Sequence, residues 1–365
     1  METREPGWKP PHCPNPNCKF HKDLLEGWRF KRKGYFLRRT RPHRIRRFTC
    51  LECGRTFSSQ TFSTTYWQKR PDLDVRILMM TVGCMANRQI ARALNAAPST
   101  IDRHISRLGR HCMLLHMRLL KGKPSPAEVA FDGFETFELS QYHPFHHNIA
   151  VEPANGFLLY HTDSPMRRKG RMTEAQKRRR AQLEADFGRP DPKAVQKGIH
   201  DLLEFVTRGR KWSIGRSDQH PAYQRAIRTL PCRLHHETTS STARRDRHNP
   251  LWEINLTDLM IRHSVAAHKR ETIAWVKRRQ SSSERLSIFM VWRNLMKRRW
   301  EKGKAVSSGM LKGVTDRIWS PFDVLRRRLF RTRIHLPATW DRYYRRMVMT
   351  IGLGPQRHHS LTYAF

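Results

Sequence analysis

Four cysteines fall in the first 53 residues as two pairs, Cys13-x4-Cys18 and Cys50-x2-Cys53. Thiolates in paired knuckles suit one tetrahedral zinc ion. Gly54, directly after the second pair, lets the chain turn so that both sulfurs face the same point. His12 and His21 flank the looser first pair as substitute ligands. Disulfides are the competing reading, and the lack of a secretory signal ahead of the cysteines argues against them. Further along, Asp132 follows an apolar run and Asp218 ends the strand-like stretch Lys211 to Asp218. A carboxylate there either caps a helix or holds a hard divalent cation.

The elements that must position these groups are legible in outline. Between the cysteine pairs, Trp28 to Phe36 and Arg38 to Phe48 interleave aromatics with cations, as in the short strands of a ribbon whose outer face meets phosphates. Residues 72–118 are helical in pattern. Asn87 to Leu94, a turn at Asn95-Ala96-Ala97-Pro98, and a Ser99 or Thr100 cap before Ile101, Ile105 and Leu108 give a helix-turn-helix. Its second helix would present Thr100, Arg103, His104 and Arg107 to a DNA groove.

From about residue 127 the pattern becomes β. Val129 to Leu139, His147 to Val151 and Phe157 to His161 form an antiparallel meander, with a type I′ turn expected at Asn155-Gly156. A charged stretch over about 165–192 interrupts it. An amphipathic helix from about Pro192 to Thr207 and a strand Lys211 to Asp218 follow. Three strands, a helix and a further strand ending in an acid is the order of an RNase H-like domain, which places Asp132 on the first strand and Asp218 on the fourth. A third acid or amide from a later helix completes a cluster for two Mg²⁺ ions.

Lys and Arg number 71 against 31 Asp and Glu, a formal charge of +40. Such a charge demands a polyanionic partner, and nucleic acid is the one expected. No apolar run of about 18 residues occurs, so no membrane-spanning helix is expected. Cys84, Cys112 and Cys232 stand alone and are expected to be reduced, in keeping with a cytosolic, DNA-accessible compartment.

The chain resembles bacterial insertion-sequence transposases with an N-terminal zinc ribbon, a helix-turn-helix and a DDE-type catalytic domain. The resemblance rests on Arg47 to Ser58, Asn87 to Leu108, Phe131 to Glu135, Ser217-Asp218, Asn255 to Arg262 and Arg270 to Trp275. It implies a multidomain α+β and α/β chain: zinc ribbon over 1–62, helix-turn-helix domain over 63–122, RNase H-like mixed sheet flanked by helices over 123–305, and a helical basic tail over 306–365. It implies a two-metal phosphodiester cleavage and strand-transfer enzyme using Mg²⁺ or Mn²⁺, acting on double-stranded DNA at element ends and target, as a homo-oligomer. A non-catalytic DNA-binding regulator, or a domesticated transposase, is the alternative. In the family register Asn255 takes the third ligand position. Glu253 is the favoured acid because two Mg²⁺ ions want negative charge, and Asp258 is the remaining choice. Arg262 and Arg270 are expected at phosphates near the scissile bond.

Overall fold

The computed structural model describes residues 8–22, 27–269 and 272–355. Near the N-terminus, β1 (Phe30–Leu37), β2 (Arg44–Cys50) and β3 (Thr56–Ser58) form an antiparallel sheet in that order. Phe48 and Phe57 lie buried in its small core, whereas Phe36 stays exposed. The core is completed from far away in the chain, because Phe330 packs with Cys13, Cys18, Phe20 and Phe62. His21 Nε2 meets Thr332 Oγ1 at 2.6 Å, and the guanidinium of the buried Arg328 donates to the Thr61 carbonyl.

Three helices follow: α1 (Asp74–Val82), α2 (Asn87–Ala93) and α3 (Pro98–Leu120). The helices match the expected order, but the caps differ. Ala97 is the N-cap of α3, with Pro98 in the first turn. Proline is favoured there because its fixed φ suits a helix start and its missing N–H has no partner to lose.

A five-stranded mixed sheet carries the centre. Strands β4 (Glu128–Phe137), β5 (Pro144–Glu152), β6 (Phe157–Pro165), β7 (Trp212–Asp218) and β8 (Arg233–Thr239) lie in the order β6-β5-β4-β7-β8. The first three pair antiparallel; β7 and β8 run parallel to β4. This order is compatible with an RNase H-like domain. Helices α4 (Glu174–Phe187) and α5 (Ala194–Val206) lie between β6 and β7, and α6 (Pro221–Ile227) between β7 and β8; α7 (Trp252–Ser264), α8 (Arg279–Val291) and α9 (Ala338–Tyr344) follow. The β5–β6 turn is not type I′. Only Gly156 has positive φ (+64°), and the Glu152 carbonyl accepts from Asn155 and Gly156 N–H groups. Type I′ needs positive φ at both central residues.

Both faces of the sheet are covered. On one, α5 comes close because it carries Gly198. A Cβ there would lie 2.2 Å from Ser164 Oγ, and the Gly198 carbonyl accepts from Thr162. On the other, α8 runs beneath His147 and His161, with His147 Nε2 2.7 Å from Ser282 Oγ. Helix α3 crosses α8 at Gly109, where a Cβ would stand 2.5 Å from the Glu284 carbonyl oxygen. Ser106 donates to the buried Glu284 carboxylate at 2.7 Å beside this crossing. The C-terminal residues Trp340, Tyr343 and Tyr344 are buried in the same core. The expected basic tail is thus in part core. No helix among the described residues is long and apolar enough to cross a membrane.

Gly109→Ala tests the crossing. The added methyl meets backbone and cannot be relieved by a rotamer change, so we expect a loss of about 1–3 kcal/mol in urea denaturation.

Candidate metal-binding carboxylates and cysteine cluster

Asp132 lies in the middle of β4, opposite Ile149 of β5. Strand alternation puts it on the face shared by Phe134, the face that α7 packs against. Its Oδ1 accepts from Tyr223 Oη at 3.2 Å and from the Gly133 N–H at 2.7 Å. Burial raises its pKa, and the neighbouring Asp218 raises it further; the two hydrogen bonds oppose the shift. Asp218 ends β7. Its Oδ1 accepts from the His220 N–H at 3.0 Å, and the His220 ring in turn caps α6 through the Ala222 N–H. One oxygen of Asp218 therefore serves the turn, and the expected helix cap belongs to His220.

Of the three residues expected as candidates for the third position, Asp258 is the one close enough to Asp132 to feel its charge. Asn255, Asp258 and Arg262 are spaced i, i+3 and i+7 on α7 and share a face. Asp258 is held well above the ordinary carboxylate pKa, first by burial and then by the charge of Asp132; Arg262 and Arg245 oppose the shift. Its Oδ1 is buried and has no hydrogen-bond partner. Glu253 does not join this group. It is five residues earlier, about 140° around the helix, and its carboxylate is ion-paired with Arg299. A Cβ on Gly156 would lie 2.7 Å from Glu253 Oε2, which puts that acid at the β5–β6 turn. The charge argument that favours Glu253 takes no account of helical phase, and the structure sets that acid apart from Asp132 and Asp258. Asn255 is half-buried, on the face of Asp258.

Arg262 lies over the Phe134 ring at 4.3 Å and donates to the carbonyls of His268 and Glu135. It braces α7 on β4. Arg270 lies outside the described residues. Tyr223, buried at 1% exposure, and Arg245 escaped the sequence reading; the run from Asp218 to Tyr223 was the available signal for the tyrosine.

The helix-turn-helix face is not presented as expected. His104 is buried, with Nδ1 2.6 Å from Asp74 Oδ1. Arg107 donates to the Thr64 and Tyr66 carbonyls, and burial lowers its pKa to about 9. Thr100 is half-buried; of the four only Arg103 is exposed. The phase of α3 is set by α1 and α8 on its flanks.

The cysteines converge. All four sulfurs lie within 4.8 Å of one another, with Cys13 and Cys53 at 3.7 Å. Sulfurs on a tetrahedron with bonds of about 2.3 Å sit about 3.8 Å apart, so this donor set fits zinc. Gly54 has φ +68° and donates to the Cys50 carbonyl, closing the knuckle. Burial pushes the Cys13 and Cys18 thiols up. Burial also acts on Cys50, but donation from Trp28 Nε1 at 3.3 Å and from the Cys53 and Glu52 N–H groups prevails, bringing it down to about 7. His12 and His21 each meet the Cys13 carbonyl instead of joining the cluster.

No family model matches the chain, and no curated protein does. Among solved structures it is similar to a simian T-cell lymphotropic virus intasome in complex with PP2A regulatory subunit B56 gamma, at 13% identity over 52% of this chain, with TM-score 0.23. The match spans 55% of that chain, so little more than half its length is represented. The Mos1 mariner transposase catalytic domain matches at 15% identity over 38% of this chain and 63% of that one, TM-score 0.16. A Mos1 catalytic domain with Raltegravir and Mg matches at 13% over 51% and 89%, TM-score 0.19. Likenesses this loose carry no weight for function, which rests on strand order and the site itself.

The raised carboxyls have a consequence for stability. A group whose folded pKa exceeds its unfolded value stabilises at low pH, and that contribution is lost as pH rises through the folded pKa. Without added divalent cation, Asp258→Asn is therefore expected to melt higher than wild type at pH 7.5. The difference should vanish near pH 4, where the wild-type carboxyl is protonated. Thermal denaturation across this range checks it.

Proposed function

We propose that the chain is a DDE-type transposase that cleaves and transfers DNA strands, with Asp132, Asp218 and Asp258 as the carboxylates that hold Mg²⁺ or Mn²⁺. The observation that carries this reading is the partnerless, buried Oδ1 of Asp258 beside the charge of Asp132. A buried carboxylate lacking a hydrogen bond is costly, and a divalent cation relieves both the orphaned atom and the like-charge repulsion. When bound, such ions polarise a phosphodiester and stabilise attacking and leaving oxygens. Asn255, on the same helical face, is the neutral donor next to that group.

This chain's residues supply the rest. Tyr223 and the Gly133 N–H orient Asp132 through one oxygen and leave the other for a ligand. His220 fixes the turn that aims Asp218. Arg262 holds the carbonyl side of β4 to α7, so the acids keep their spacing. Arg245, close enough to act on Asp258, brings positive charge toward a phosphate. Zinc on Cys13, Cys18, Cys50 and Cys53 serves as a structural staple for an end-recognition ribbon, because four protein ligands leave no open position. The terminal repeats of a bacterial insertion sequence are the proposed DNA, and joining two ends calls for at least two copies of the chain.

Cleavage of a labelled duplex carrying the element ends, with Mg²⁺ or Mn²⁺, tests the reading. Asp132→Asn, Asp218→Asn and Asp258→Asn should each lower the rate by at least about a hundredfold. Glu253→Gln should stay near wild type. Equal rates in wild type and Asp132→Asn would sink the enzymatic reading. Metal analysis supplies an independent check on the ribbon: wild type should retain about one zinc per chain, and Cys50→Ser should lose it.

A further inference from the structure

A second feature of the surface has no part in the carboxylate site. A groove of about 2840 Å³ is walled by the β1–β2 hairpin, the start of α1, the end of α3 and the segment 317–335. Fifteen Lys and Arg residues line it against three Asp. All three acids are engaged: Asp72 with Arg70 and Arg76, Asp74 with His104, and Asp323 with Arg317. Arg39, Arg41, Arg118, Lys121, Arg326 and Arg327 are all exposed, and none of them forms an ion pair with an acid among the described residues. Neither Asp132, Asp218 nor Asp258 lines the groove.

We infer that this groove is a channel for duplex DNA, separate from the carboxylates, in which those six side chains neutralise backbone phosphates. The inference rests on the reading that the chain acts on DNA, and adds where that DNA is gripped. Charge complementarity is the main support. Arg327 and Arg333 lie close enough to Arg118 to add to the lowering of its pKa, which comes first from partial desolvation of its guanidinium. Like charges held together without acids are relieved by a polyanion that bears a charge about every 1.7 Å. The hairpin tip is built to offer its cations. Arg38 is spent inward, donating to the Pro42 and Arg41 carbonyls, which leaves Arg39 and Arg41 on the outside. Thr40 and Ser59 add neutral polar groups to the lining. The grip is electrostatic and independent of sequence, as phosphate contacts are. It also gives a role to the arginines at 326 and 327, which the sequence reading left in a tail without one.

Fluorescence anisotropy of the full chain on a random-sequence DNA duplex, without divalent cation, is the test. Arg118→Gln/Arg327→Gln should weaken binding at least about tenfold at physiological salt and flatten the log–log salt dependence by about 2. Its melting temperature should not fall, since crowded like charges are removed. Unchanged affinity and slope would overturn the inference. So would a duplex RNA of the same sequence competing as well as DNA, which would assign the groove to RNA. If the double variant fails to fold, Lys121→Gln/Lys123→Gln, on the exposed end of the α3 wall, is scored in the same way. The cleavage assay with Asp132→Asn is read separately, so loss of the enzymatic reading leaves the binding result standing.

Discussion

The backbone contact between α3 and α8 at Gly109 is the constraint on which the rest depends. Only a residue without Cβ lets the two helices meet at Glu284. That approach seats α8 beneath the buried faces of β5 and β6, and fixes the phase of α3. With α3 held this way, His104 and Arg107 turn to Asp74, Thr64 and Tyr66 instead of to solvent. The helical N-terminal part and the mixed sheet therefore share one hydrophobic core. A face that would be free in an isolated helix-turn-helix is spent on packing.

Charge is distributed with a purpose in the opposite direction. The protein carries +40, yet the acids Asp132, Asp218 and Asp258 stand near one another with their charge only partly relieved. Asp132 and Asp258 are kept in a setting that disfavours their ionised forms, with Asp218 nearby, and are only partly compensated by Arg262 and Arg245. Such a site lowers fold stability at neutral pH, the kind of cost found where function and stability compete. The cations meanwhile collect where acids are scarce.

Much of the fold was legible in the sequence because its signals are local. Period-two patterning gave the meander, the amphipathic stretch gave α5, and the acid at the end of the Lys211–Asp218 strand marked the parallel return. The cysteine spacing likewise anticipated a cluster whose four sulfurs do converge. What was not legible depends on phase and distance. Glu253 and Asp258 differ by five residues, and only the docking of α7 decides which one faces β4. The burial of His104 and Arg107 depends on partners 30 and 41 residues away or more. The place of Phe330 among the cysteines crosses nearly the whole chain, and no periodicity encodes it.

That last contact sets a timetable. The first module leaves the ribosome long before Phe330, Arg328 and Thr332 exist to close it. At about 5–20 residues per second the wait is on the order of tens of seconds. During it the aromatic interior of the three-stranded sheet lacks one wall. The N-terminal sheet therefore cannot close its interior until residues 328–332 have been made, and a product that stops before them would carry an open, poorly folded front end.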